Sequence, residues 1–168
     1  MTASGWDAPL RFTRAITLAA CMALPCVSEG ADAVKPKELA RGRYLVMTSG
    51  CNDCHTAGYA PKDGNVPEKD WLKGDILGWR GPWGTTYPAN LRLYMEKMTE
   101  DQWAKLGKVF QTRPPMPWYN VNAMTESDLR AIYKYVRSLG PAGDPAPAYL
   151  PPDKEPKPPF VQFPAPPK

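Results

Sequence analysis

The chain has 168 residues and a formal net charge of +4, a length suited to one domain. The positive excess is mild and no basic run occurs, which argues against an electrostatic nucleic-acid binder. With His55 the only histidine, any centre that needs two imidazoles is excluded.

Residues 1–33 read as an export signal rather than as part of the domain. Arg11 and Arg14 form a basic start, and Ala15 to Val27 (AITLAACMALPCV) is an apolar stretch of 13 residues, too short to span a bilayer. Ala31-Asp32-Ala33 then supplies small residues for signal peptidase, so that the mature chain begins at Val34. Leu18-Ala19-Ala20-Cys21 is an alternative: as a lipobox it would place a lipid on Cys21, although the apolar stretch before it is short for that role. Cys21 and Cys26 fall inside the signal, which leaves Cys51 and Cys54 with no structural disulfide to explain. The expected organisation is a signal peptide (1–33), a globular domain (34–140) and a proline-rich tail (141–168). From residue 34 onward the formal charge is +5, compatible with docking onto acidic faces of redox partners. No transmembrane span is expected in the mature chain.

Residues 37–50 (KELARGRYLVMTSG) read as a helix with Leu39, Gly42 and Val46 on one face. Glycine inside a helix costs about 1 kcal/mol against alanine, which implies close approach of another helix at Gly42. The helix leads into Cys51-Asn52-Asp53-Cys54-His55. Two thiols separated by two residues, with a histidine directly after, form the attachment signature of a c-type haem. Each thiol can add to one vinyl group on the same porphyrin edge, and the next residue is carried beneath the ring to bind iron as the proximal ligand. A thioredoxin-like pair would need a surrounding βαβ pattern, which is missing. A zinc site would need two further ligands, and no second CxxC or HxxxH exists. A short disulfide is the remaining plain reading.

Residues 56–90 are punctuated by Gly and Pro and read as a loop, of the kind a prosthetic group can serve as core for. Trp79, Trp83 and Tyr87 are candidate walls against a porphyrin, with Arg80 and Asn90 as candidate partners of its propionates. A helix begins at Thr99, where Thr99 and Gln102 make a capping box and Met98 can staple onto Trp103; its buried face is Trp103, Leu106 and Phe110. The last helix begins at Thr125 with Asp128, with Met124 against Leu129 and an apolar stripe of Leu129, Ile132, Tyr133, Val136 and Leu139, and Gly140-Pro141 stops it. The tail has 11 prolines in 28 residues and is expected to be extended, largely solvated and passive, with Tyr149, Phe160 and Phe163 as candidate anchors to the domain or to a partner.

A haem with one histidine leaves a sixth position to fill. Met98 and Met124 have staple roles, and Met47 is too close before Cys51 to reach the opposite face. Met116 stands in Arg113-Pro114-Pro115-Met116-Pro117-Trp118, between the two capped helices. The flanking prolines stiffen that loop, so less entropy is lost when the sulfur is held on iron. Met116 is therefore the expected sixth ligand, with Met95 the runner-up.

On CNDCH, the PPMPW loop and DLRAIYKYVRSL (128–139), residues 37–140 resemble the monohaem class I cytochrome c family of bacteria. The resemblance implies an all-α fold of three to four helices around one covalent haem c, held by Cys51, Cys54, His55 and Met116. It implies that the first and last helices cross beside the haem with a glycine against an aromatic, Gly42 against Tyr135 or Tyr133. It further implies a backbone carbonyl accepting from Nδ1 of His55, with several Pro and Gly sites able to supply it. Similar proteins accept electrons from periplasmic alcohol or sugar dehydrogenases, although the three-haem subunits of those complexes carry three CxxCH motifs and this chain has one. The function implied is that of a periplasmic electron carrier and not an enzyme, with a dehydrogenase as donor and an oxidase or another cytochrome as acceptor. The alternatives are a haem subunit bound permanently to a dehydrogenase or oxidase and, with less support for want of a distal histidine, a haem peroxidase or gas-binding protein.

Overall fold

The computed structural model describes residues 36–164; the expected signal (1–33, with Cys21) and the last four residues lie outside them. Six helices form in chain order: α1 (Pro36–Thr48), α2 (Cys51–His55), α3 (Leu91–Glu96), α4 (Glu100–Gly107), α5 (Trp118–Ala123) and α6 (Glu126–Ser138). Three short strands accompany them: β1 (Gly78–Gly81), β2 (Gly84–Thr86) and β3 (Phe160–Gln162).

The longest contact is between α1 and α6. On α6 the residues Leu129, Ile132, Tyr135 and Val136 are buried, and on α1 Gly42, Leu45 and Val46. Val46, Leu129 and Val136 are at most 1% exposed, and each such side chain contributes about 1.5–3 kcal/mol when removed from water. Gly42 sets how near the helices come: a Cβ there would stand 2.6 Å from Cβ of Tyr135 and 2.7 Å from the Ala131 carbonyl carbon. Tyr135, not Tyr133, is therefore the aromatic at the crossing, while Tyr133 donates its hydroxyl to the Met98 carbonyl at 2.8 Å. Arg41–Asp128 at 2.9 Å and Lys134–Glu38 at 3.1 Å border the seam.

Both capped starts form as the sequence indicates. Thr99 accepts from the Gln102 amide at 3.2 Å while the Gln102 side chain accepts from the Thr99 amide at 2.8 Å, a reciprocal capping box. Thr125 accepts from the Asp128 amide at 3.2 Å. On α4 the buried residues are Trp103, Ala104 and Gly107, rather than the expected trio with Leu106 and Phe110. The indole of Trp103 donates to the Leu129 carbonyl at 2.9 Å, which ties α4 to α6.

One expectation is corrected and one is refined. The fold is not purely helical, because residues 56–90 are not a plain loop: β1 and β2 pair antiparallel, Trp79 opposite Thr86 and Arg80 opposite Thr85. The tail is mostly exposed, as expected, but it does contribute to a sheet. β3 pairs parallel with β1, Gly78 opposite Phe160 and Arg80 opposite Gln162, and gives a sheet of order β2-β1-β3. The reason is chemical: extended proline-rich chain still offers carbonyls and the amides of its non-proline residues, and a two-stranded hairpin has an open edge to receive them. Among the described residues no helix is long and apolar enough to cross a membrane.

Candidate haem site

The five residues Cys51–His55 are themselves the short helix α2. Both cysteines are half-buried and unpaired. Burial pushes the Cys51 thiol up to about 11; burial first, then the charges of Asp53 and Asp75, raises Cys54. Both are thus protonated near neutrality, unlike the thiolates of a thiol–disulfide exchange centre.

His55 is 9% exposed, and its Nδ1 lies 2.7 Å from the Ala89 carbonyl oxygen. A carbonyl can only accept, so Nδ1 carries the proton and Nε2 is left with a free lone pair. Burial lowers the pKa of His55, with the Ala89 hydrogen bond acting the other way, and the ring is neutral. A neutral imidazole whose second nitrogen is fixed by a carbonyl is the form that binds a metal. The open choice of carbonyl is thereby resolved to Ala89. Packing brings that carbonyl in: the Gly74 amide donates to the His55 carbonyl at 2.8 Å, and a Cβ on Gly74 would lie 2.8 Å from both the Asn90 nitrogen and the Pro88 oxygen. Residues 88–90 can therefore lie flat against residue 74, beside the histidine.

Asn90 has a different duty from the propionate contact expected of it. Its Oδ1 accepts from the Leu93 amide at 3.1 Å and caps α3, while Nδ2 donates to the carbonyls of Ala142 and Asp144 at 2.8 and 3.1 Å. Arg80 is paired with a carboxylate of the tail. Its Nη1 lies 2.6 Å from Glu155, yet it is buried without a properly aligned hydrogen-bond partner, as is Oγ1 of Thr85, the residue opposite on β2. A guanidinium and an unpartnered hydroxyl opposite one another on the hairpin are groups that suit a carboxylate such as a haem propionate. Trp79 and Trp83 pack against Phe163 of the tail, ring centres 6.0 and 5.3 Å apart, and Tyr87 is half-buried.

Met116 lies half-buried in the loop between α4 and α5, with its carbonyl accepting from the Trp118 amide at 2.9 Å. Thr86 on β2 donates to the Pro114 carbonyl at 2.8 Å and holds the loop to the hairpin. The other methionines have different surroundings. Met95 is 1% exposed within the hydrophobic core, Met98 and Met124 are packed against that core, and the sulfur of exposed Met47 lies 3.1 Å from Arg43. Among the described methionines, Met116 is the half-buried one not packed on the core.

The donor set therefore suits a covalent haem: two neutral thiols and a metal-ready imidazole on one short helix, with an unclaimed thioether on a separate stiff loop. Sequence reasoning missed Ala89 and Thr85. The Pro88-Ala89-Asn90 turn was the one available sign of the former, and nothing in the sequence marked the latter.

The cytochrome c family model matches residues 39–140. No curated protein and no solved structure matches the chain. The family match covers more than half of the chain and takes in α2, both capped helices and the Met116 loop. The chain belongs to the cytochrome c family, whose members carry covalent haem c on a CxxCH motif of the kind that Cys51, Cys54 and His55 form.

Proposed function

We propose that this protein is a periplasmic carrier of single electrons, its one haem c attached through Cys51 and Cys54 with His55 and Met116 as axial ligands. The family match already makes it a haem-based electron-transfer protein. The observation that carries the finer reading is the His55–Ala89 hydrogen bond of 2.7 Å, since it fixes the tautomer and turns Nε2 into the only available imidazole ligand. Haem c, when bound, supplies a one-electron Fe(III)/Fe(II) couple.

The chain's own residues do the rest. His55 is held neutral and aimed by a backbone carbonyl, so it need not reorient when the charge changes. Met116 offers a soft thioether, a ligand type that favours the reduced state and raises the potential. Arg80 and Thr85 would hold a propionate. Were His55 and Met116 both to hold the iron, peroxide or a gas would have no place to bind, which favours a carrier over an enzyme. The charge of +5 from residue 34 onward suits acidic partner faces, with a periplasmic dehydrogenase as donor and an oxidase or another cytochrome as acceptor. Tyr149 and Phe163 of the tail have partners within the domain, which favours the free carrier over a subunit tethered to a larger complex by its tail.

Met116→Ala tests the reading. The loaded wild type should show the weak red-end charge-transfer band of Fe(III)–thioether bonding and bind carbon monoxide poorly when reduced. The variant should lose the band, fall in reduction potential and bind carbon monoxide. Ready carbon monoxide binding by the wild type would overturn the carrier assignment in favour of a haem catalyst or gas binder.

A further inference from the structure

Tyr149 stands where the tail, the hairpin and the Met116 loop meet. Its hydroxyl donates to the Trp83 carbonyl at 2.8 Å. The guanidinium carbon of Arg113 lies 3.8 Å from the centre of its ring. The next residue, Leu150, exchanges two backbone hydrogen bonds with Thr85, at 2.8 and 3.0 Å. Thr86 in turn donates to the Pro114 carbonyl at 2.8 Å. Arg113 and Pro114 are the third and second residues before Met116, so two separate routes lead from one point of the tail into the loop. The hairpin is shaped for this contact. Gly84 has φ +95°, and a Cβ there would collide with the Leu150 carbonyl oxygen and lie 2.8 Å from the Tyr149 ring and hydroxyl.

The loop needs support from outside itself. Arg113 and Pro114 are exposed, Pro115, Met116 and Pro117 only half-buried, and none of these residues belongs to the hydrophobic core. A thioether is a weak ligand, so the fraction of time it stays on iron depends on how firmly its loop is held. We infer that Tyr149 is a positioning residue for the sixth ligand, and that the C-terminal tail is a strap acting through Arg113 and the Thr85–Thr86 segment to keep the Met116 sulfur in place. This inference rests on the assignment of Met116 as ligand.

The test uses the full haem-loaded chain and free imidazole as a competitor for the position of Met116. Wild type, Tyr149→Ala, Tyr149→Phe, Arg113→Ala and the double variant Arg113→Ala/Tyr149→Ala are titrated in the oxidised state while the thioether band is followed. A cation held over an aromatic ring is worth enough to shift such a competition by roughly three- to tenfold. Tyr149→Ala and Arg113→Ala should therefore each bind imidazole about that much more tightly. Tyr149→Phe, which keeps the ring under Arg113, should stay within about twofold of wild type. The double variant should be no weaker in sulfur retention than Tyr149→Ala, because both changes remove one shared contact. Should Tyr149→Ala not take up haem, Arg113→Ala, which truncates an exposed side chain, gives the answer. A wild type that shows the band, with both single variants unchanged in imidazole affinity, overturns the strap and leaves the Met116 assignment standing. Fully additive effects in the double variant also overturn the route through Arg113. A wild type without the band overturns the strap and the ligand assignment together.

Discussion

Where α1 meets α6, side chains make the joint: an apolar stripe on one helix closes over Gly42 of the other, at a spacing set by 3.6 residues per turn. On the hairpin face the joint is made by backbone groups. β3 pairs with β1, Leu150 with Thr85, and the Phe163 amide with the Arg80 carbonyl at 2.7 Å, while a few aromatic rings supply the apolar contact. The first kind of joint writes a period into the sequence, because every third or fourth residue must be apolar. The second kind is nearly silent, since any non-proline residue can offer an amide. The same difference sets how each region should respond to substitution.

The largest effect is expected at the crossing itself. Gly42→Val would push a branched side chain into the Ala131 backbone, which cannot swing aside, and should cost more than the roughly 1–3 kcal/mol usual for core overpacking. Denaturant unfolding of the loaded protein measures it, and a change within about 0.5 kcal/mol, as on an exposed surface, would mean that the helices do not meet at this glycine. Met95→Ala comes next. It opens a cavity in the helical core and should cost about 2–5 kcal/mol, yet leave the thioether band intact; a lost band would move the sixth ligand from the loop into the core.

Tyr135→Phe separates packing from polar contact within the helical region. It keeps the ring against Gly42 but removes the hydroxyl that donates to Glu68 at 2.7 Å, for an expected loss of about 1–2 kcal/mol. The same tie carries a pH signature. Burial raises the Glu68 pKa, but the hydrogen bonds from Arg43 and Tyr135 outweigh it and hold the carboxyl below its ordinary 4.5. A group with a lowered folded pKa stabilises fully above its ordinary value, and that contribution disappears as pH falls through the folded one. Unfolding measured across this acid range should lose a component in the wild type that Glu68→Gln does not have. The smallest effect should come from Thr125→Ala, which deletes one side-chain cap on α6 for about 1 kcal/mol; thermal unfolding resolves it, and no shift would mean that the α6 start is held by packing alone.

Much of the helical region was legible. CNDCH marked the attachment point, Thr99 and Thr125 marked helix starts through a local hydrogen bond, and Gly42 stood out because glycine is unfavourable in a helix without a close neighbour. The hairpin was hidden, since strands of three or four residues carry no measurable alternation and Gly-Pro-Trp-Gly reads as turn alone. Ala89 was hidden for a deeper reason: what holds His55 is a main-chain carbonyl, and its side chain says nothing of the role. Asn90 misled because an amide at that place suits a propionate equally well, whereas its oxygen caps α3 and its nitrogen is taken by the arrival of residues 142 and 144.

The proline content of the tail has a consequence for the unfolded chain. Eleven prolines in residues 141–168 confine the segment to a narrow set of extended shapes before it touches anything. Little freedom is then left to lose on docking, so one stacked tyrosine, one antiparallel bridge and three parallel strand residues suffice to seat a segment that would otherwise need a core of its own. Replacing exposed prolines between the anchors, such as Pro152 and Pro158, with glycine would enlarge that unfolded ensemble and loosen the seat without removing a buried side chain.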